Sequence, residues 1–290
     1  MYNEKTLAKG LVSHGVNTCA GCGLEIVFRN VLAVLGEDTV VVAPPGCVAL
    51  FSGLDDVTNM KIAGYQCNLE NTAASAAGIR AGLDALGNTH TTVLAFAGDG
   101  ATVDIGIQSL SGMIERGDRV LYVCYDNEAY MNTGIQGSSS TPQGASTTTT
   151  PAGKSTARKD LIQIAIAHGI PYAASASVAY LPDLQKKVKK ASRVQGPSLI
   201  HVHTPCPTGW LFPPAKSIEL CRNAVLTAAW VLYEWENEKI AINYTPERLL
   251  PLEDYLLAQG RFKGLTQEEI AEMQQMIVGK YRRLLAAAEM

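Results

Sequence analysis

The sequence has no excess of charge of either sign: 24 Lys and Arg stand against 27 Asp and Glu, a formal net charge of −3. That removes the basic footprint a nucleic-acid-binding surface needs. No apolar run approaches the roughly 20 residues that cross a bilayer. The N-terminal stretch is mixed and polar, without a charged segment leading into an apolar one, so no secretory leader is predicted. No repeat and no long disordered tract is visible. Seven cysteines, an odd number in 290 residues, do not make a disulfide scaffold. In a reducing compartment a CxxC pair binds metal or performs redox chemistry instead. The expectation is a soluble, cytoplasmic chain with no membrane or nucleic-acid partner. At 47% hydrophobic it has enough apolar residues to bury a large core.

What is present is an alternation. Short, continuous apolar runs predict strands over 39–43, 91–97, 120–125, 172–175 and 198–203, and helical composition lies between them at 25–35, 70–86, 104–116, 158–167 and 182–193. Strands that are apolar on both faces and separated by helices call for a parallel sheet covered on both sides. The fold class is therefore α/β, a doubly wound, mostly parallel sheet over residues 1–212. Residues 213–290 read as a helical extension, with helices over 218–235 and 267–288, capping the domain or packing on a partner subunit. The stretch 134–156 is dominated by Ser, Thr, Gly and Pro. So long a loop inside a compact domain is more often functional than idle, and it is expected to line a site.

The strand at 91–97 runs into Gly98-Asp99-Gly100 and a helix follows. In an open parallel sheet, ligands gather beyond the carboxyl ends of the strands. Flanking glycines let backbone approach a phosphate, and the following helix start favours negative charge. Asp99 is a hard oxygen ligand suited to Mg²⁺. The next strand ends at Tyr125-Asp126-Asn127, one helix plus one strand later, so the two tips should be neighbours.

The cysteines are the second constellation. Cys19-Ala20-Gly21-Cys22 is a CxxC in a glycine-containing turn, Cys47 follows Pro45-Gly46 at a strand end, and Cys206 lies between two prolines just after a strand. Four thiolates could hold an iron–sulfur cluster or a structural zinc, and spacing alone leaves the two open. A non-catalytic α/β protein with a Cys₄ zinc site is the alternative reading from another class. Cys124 and Cys221 read as buried small hydrophobes, and Cys67 is ambiguous. His201 and His203 share one face of a strand and are expected to be packed or hydrogen-bonded. The lysines at 186, 187, 189 and 190 form a basic helix face that reads as solvated. Trp210, Trp230 and Trp235 read as core or subunit interface.

Several segments together resemble one family. They run from Ala95 through Gly98-Asp99-Gly100, from Tyr122 through Asp126-Asn127-Glu128-Ala129-Tyr130-Met131-Asn132-Thr133-Gly134, then Pro151-Ala152-Gly153-Lys154, His168 to Tyr172, and Pro205-Cys206-Pro207-Thr208-Gly209-Trp210. These are similar to the β subunits of the 2-oxoacid:ferredoxin oxidoreductases, of the pyruvate type. The resemblance implies thiamine diphosphate with Mg²⁺ held by the side chains of Asp99 and Asn127 and the Ala129 carbonyl. It implies Gly98, Gly100, Gly46 and Cys47 beside the cofactor, and Asn132 facing the thiazolium and substrate. Cys19, Cys22, Cys47 and Cys206 would ligate a 4Fe–4S cluster. The implied reaction is reversible, coenzyme A-linked oxidative decarboxylation of a 2-oxoacid. Its partners would be an α subunit supplying the activating Glu, γ and δ (ferredoxin-like) subunits, and ferredoxin. Two departures bear on substrate: Leu24 follows the CxxCG where an acidic residue is usual, with Glu25 one place later, and 48–63 lacks the aromatic-rich pattern of pyruvate enzymes. Pyruvate comes first, and another 2-oxoacid or oxalate stays open.

Overall fold

The computed structural model describes residues 10–53 and 58–289. Most of the leader reading and part of the 48–63 departure fall outside the described residues. Among the described residues no helix is long and apolar enough to cross a membrane. The sheet has six parallel strands: β1 (Thr39–Ala43), β2 (Gly64–Gln66), β3 (Thr92–Gly98), β4 (Leu121–Asp126), β5 (Tyr172–Ser177) and β6 (Ser198–His203). Two more, β7 (Tyr233–Glu236) and β8 (Lys239–Ile242), complete the order β2-β1-β3-β4-β6-β5-β7-β8. The helices are α1 (Gly23–Leu35), α2 (Ala49–Ser52), α3 (Thr72–Ala85), α4 (Ile107–Glu115), α5 (Leu161–Ala167), α6 (Leu181–Ala191), α7 (Pro207–Trp210), α8 (Ser217–Leu226), α9 (Glu253–Leu256) and α10 (Gln267–Ala288).

Side chains that alternate along the central strands feed two different cores. Leu94, Phe96, Val123 and Tyr125 pack into one, roofed by α1 and α6. Val93, Ala95, Ala97, Tyr122 and Cys124 pack into the other, beneath α3, α4 and α5. This is why the strands read as continuous apolar runs: each residue is buried, only on opposite sides. Phe28 of α1 is fully buried, its ring 4.6 Å from Phe51 and 5.0 Å from Phe96. Phe28→Ala is expected to cost about 3–5 kcal/mol of unfolding free energy in a denaturant titration, the usual range for emptying an aromatic core position.

Three sequence expectations are corrected. The helix expected over 218–235 ends at Leu226, and its last residues become β7, which pairs antiparallel with β5 and carries β8 at the sheet edge. The C-terminal extension is therefore partly sheet, and its helices share a third apolar cluster with Trp210, Phe212 and Phe262. The helix expected over 104–116 starts as a π-helical turn, Gly100–Asp104, before α4 proper. The four-lysine face is not all solvated: Lys187 is buried, donating to Asp183 and the Ser175 carbonyl, and Lys190 pairs with Glu234 and Glu236.

Candidate active site

Parallel pairing sets Gly98 opposite Tyr125, so the tips of β3 and β4 stand side by side. Asp99 at the first tip is 1% exposed, and the 134–156 loop reaches it: Ser138 Oγ donates to Asp99 Oδ2 at 2.5 Å. Asn127 turns its side-chain amide toward Asp99 Oδ1, 3.1 Å away, and the Ala129 carbonyl oxygen, 2.9 Å away, and with its nitrogen on that side it donates to both. Turned end for end, the amide offers its oxygen beside those two acceptors instead, the arrangement that a bound cation would favour. Octahedral ligands held at about 2.1 Å from Mg²⁺ sit about 3.0 Å from each other, which these separations match. Asp99 titrates well above the usual carboxylate range because it is buried, with the charges of Asp126 and Glu128 pushing the same way. Among the described residues no Lys, Arg or His pairs with it. The donor set therefore fits a divalent cation.

Gly100 is required by packing: a Cβ there would overlap the ring of Tyr130, whose hydroxyl donates to the Gly100 carbonyl at 3.2 Å. Glu128, between the two candidate ligands, has φ of +68°, left-handed backbone that a residue with a Cβ rarely adopts. Its carboxylate is held from two sides, Oε1 accepting from Arg158 at 2.9 Å and Oε2 from Arg261. Asp126 Oδ2 accepts from Arg158 and meets His201 Nε2, each at 2.6 Å. Burial would raise the Asp126 carboxyl, but Arg158 and then His201 outweigh it and hold it at about 2. His203 is kept neutral, its pKa pushed far down by burial and by the charge of Arg158. Two carboxylates and two guanidinium groups thus balance beneath the turn, leaving Asp99 as the uncompensated acid. The expected packing role of His201 and His203 holds. Asp126, Glu128, Arg158, Arg261 and Ser138 were not singled out as site residues by the sequence.

The cysteine segments meet at the same end of the sheet. The CxxC turn closes with Cys22 N donating to the Cys19 carbonyl at 3.0 Å, and Gly21 takes φ of +72° where Pro214 leaves no room for a side chain. Gly23 N donates to the Pro205 carbonyl at 3.1 Å, and Ser217 Oγ to the Gly21 carbonyl at 2.6 Å, which stitches this turn to the Cys206 segment. Cys206 caps α7, its sulfur accepting from Gly209 N. Cys47 is fixed beside β4, where the adjacent Val48 N donates to Tyr125 Oη at 3.3 Å. Cys22 and Cys47 are each pushed up to about 12, first by burial; the charges of Cys206 and Cys19 add to this at both, and that of Cys22 adds at Cys47. Cys47 feels the charges of the other three sulfurs and also that of Asp99, which relates it to both constellations. Among the described residues no three His, Cys, Asp or Glu side chains close around a single metal ion. Cys67, Cys124 and Cys221 are buried elsewhere, Cys67 against Thr72. Asn132 is exposed on the 131–134 turn, outside the Asp99 group. Glu25 is engaged by Arg29 at 2.8 Å and by Thr18 at 3.1 Å, anchoring the residue before Cys19.

The chain is similar to known proteins over most of its length. Residues 46–202 match the family model of the thiamine pyrophosphate enzyme, C-terminal TPP binding domain. The chain is 48% identical over 91% of its length to pyruvate synthase subunit PorB of Methanothermobacter marburgensis, covering 93% of that protein. It is 46% identical over 95% of its length to ketoisovalerate oxidoreductase subunit VorB of Pyrococcus horikoshii, covering 92% of it. The fold matches 2-oxoglutarate:ferredoxin oxidoreductase from Magnetococcus marinus with a TM-score of 0.62, at 18% identity over 93% of this chain and 96% of that one. The chain belongs to the thiamine-diphosphate-binding β subunits of the 2-oxoacid:ferredoxin oxidoreductase family.

Proposed function

We propose that this chain is the thiamine-diphosphate subunit of a cytoplasmic, multisubunit 2-oxoacid:ferredoxin oxidoreductase that oxidatively decarboxylates pyruvate with coenzyme A. The observation that carries the reading is the approach of the buried Asp99 carboxylate, the Asn127 side-chain amide and the Ala129 carbonyl beside the β3 and β4 tips, within a matched thiamine pyrophosphate domain. Asp99 and Asn127 would hold Mg²⁺ through their side chains and Ala129 through its carbonyl, with Ser138 fixing the second Asp99 oxygen. Gly98 and Gly100 let the Tyr125 and Tyr130 rings pack against the backbone at the β3 tip, where the diphosphate would sit, and Gly46 and Cys47 would form the wall next to it. Asn132, on the exposed turn, would meet the substrate once a partner subunit closes over it. When bound, the thiazolium supplies the nucleophilic carbon and the electron sink for decarboxylation.

Conversion of a 2-oxoacid and coenzyme A to an acyl-CoA and CO₂ would release two electrons, which zinc cannot accept. Four soft thiols adjoining the cation site supply the ligands a 4Fe–4S cluster needs, and Cys19, Cys22, Cys47 and Cys206 are assigned to it. The thiols of Cys22 and Cys47 stay protonated at neutral pH without a metal, so they are not free nucleophiles.

Activation of the cofactor also needs a carboxylate against the aminopyrimidine. The buried acids of this chain near the site are committed, Asp126 to Arg158 and His201, and Glu128 to Arg158 and Arg261. The activating Glu is therefore assigned to an α subunit, with γ and δ subunits carrying electrons on to ferredoxin. The purified chain alone is expected to show no turnover with thiamine diphosphate, Mg²⁺, pyruvate, coenzyme A and an electron acceptor, whereas the complete complex reduces ferredoxin. Turnover by the isolated chain would overturn the shared-site reading. The ketoisovalerate oxidoreductase relatives favour a second reading, a branched-chain 2-oxoacid. Comparing kcat/KM for pyruvate and 3-methyl-2-oxobutanoate on the complex decides between them.

A further inference from the structure

We propose that Arg261, which belongs to neither site loop, is a positioning residue that couples the cation turn 127–129 to the cysteine segment 206–210; the inference rests on the assignment of both sites given above. Arg261 lies in the C-terminal segment, 3% exposed. One nitrogen pairs with Glu128 Oε2, and its Nε donates to Gln259 Oε1 at 2.9 Å, which fixes the plane of the guanidinium. That plane lies over Trp210, Cζ 4.1 Å from the ring centroid. Trp210 in turn touches both loops: its indole Nε1 donates to the Asn127 carbonyl at 2.8 Å, and its backbone N to the Cys206 carbonyl at 2.9 Å.

The consequences differ at the two ends. Glu128 holds a left-handed conformation against its intrinsic preference, and its two side-chain anchors are Arg158 and Arg261. Strain of this kind persists only where surrounding contacts over-determine it. Losing Arg261 frees one oxygen of a buried carboxylate, so the turn relaxes and the Asn127 and Ala129 oxygens part. At the other end the Trp210 ring loses its stacking partner, and Cys206 loses a nearby positive charge. An electron added to a cluster at Cys206 is then less well stabilised.

The test uses the complete complex carrying Arg261→Met, Arg261→Lys or, as a control, Arg80→Met. Arg80 is equally buried, but it serves α3 by donating to the Asn88 and Thr91 carbonyls. Two ratios to wild type are measured: the affinity of the metal-stripped, thiamine diphosphate-supplied complex for Mn²⁺, from free-ion EPR, and the reduction midpoint of the cluster, from EPR-monitored titration. Arg261→Met is expected to weaken Mn²⁺ binding about 10–100-fold, the range for losing an outer support of a metal ligand, and to lower the midpoint. Arg261→Lys is expected to restore the midpoint more than the affinity, because it keeps the charge but not the planar fork. Arg80→Met is expected to lower the melting temperature and leave both ratios at one. Unchanged ratios, a change in only one of them, or the same pair of changes in Arg80→Met would overturn the coupling. If Arg261→Met fails to assemble, Arg261→Gln, which also removes both the charge and the fork, decides by the same criteria. Wild-type complex without iron or Mn²⁺ binding would overturn the site assignment itself, and the coupling with it.

Discussion

Asp99→Asn is expected to strengthen the metal-free protein and to remove its cofactor. The two effects have opposite signs because one carboxylate is unfavourable in the empty site and indispensable in the filled one. Asp99 is buried beside Asp126 and Glu128, whose charges are already matched by Arg158 and Arg261, and it receives one hydrogen bond from Ser138. An amide of the same shape removes that uncompensated acid. The metal-stripped protein should therefore gain on the order of 1–3 kcal/mol of stability, the usual cost of a poorly satisfied buried polar group, and its melting temperature should rise. The pH dependence has a definite direction. The carboxyl keeps its proton in the folded chain where the unfolded chain has released it. Stability of the metal-free wild type therefore falls as pH rises above the ordinary carboxylate value of about 4, until the folded-state pKa is passed. Asp99→Asn lacks that component. For Mg²⁺ the same change deletes the one anionic ligand among three oxygens. The loss should exceed the roughly 100-fold at the upper end of outer-support mutations. Calorimetric titration of thiamine diphosphate with and without Mg²⁺, beside thermal melts of the stripped protein, checks both halves. Retained cofactor affinity in the variant would remove Asp99 from the metal site.

The parts of this architecture that could be read from the chain are those whose cause is local. Helix α10 begins and ends where the sequence places it, because Thr266 and Glu269 form a capping box and the apolar positions recur at helical spacing. The neighbouring tips of β3 and β4 follow from one helix-plus-strand repeat, and the cysteine turn from its glycine. The first residues of β7 fall within the helix expected over 218–235, even though Tyr233 and Trp235 alternate with Glu234 and Glu236. The β7–β8 turn is Asn237-Glu238, both at positive φ, without the glycine that usually announces such a turn. The ionic layer beneath the cation turn was hidden for another reason. Glu128 finds Arg158 thirty positions away and Arg261 one hundred and thirty-three, so only the folded topology brings them together. The unusual backbone at Glu128 carries no signal in residue type either, since glutamate is not a residue that favours φ above zero. The family resemblance assigns roles to residues at the strand tips more readily than to the buried residues that hold those tips in place.

Cys206→Ala should strip the chain of iron, and the comparison with Cys206→Ser separates ligation from structure. Two things are asked of the sulfur: it lies within charge range of the other three thiols, and it accepts the Gly209 N–H at the start of α7. Serine retains an acceptor for that N–H but offers a hard oxygen where the other ligands are soft thiolates. Alanine removes both. If the segment matters only as a structural cap, Cys206→Ser should behave as wild type and Cys206→Ala should be destabilised by about 1 kcal/mol, the usual loss for a missing cap. If the residue ligates a cluster, anaerobically purified complex should carry about four iron and four sulfide at this site in the wild type, and both variants should lose the reduced-cluster EPR signal assigned to it. Ferredoxin reduction should fall with it, because the electrons released on oxidation would have no acceptor beside the cofactor. Pyruvate decarboxylation without coenzyme A-linked oxidation would survive such a break only as a slow side reaction, since Asp99, Asn127 and Ala129 lie on β-strand tips that neither variant touches. One zinc per chain and no iron in wild-type protein never exposed to air would leave these thiols structural and remove the electron path altogether.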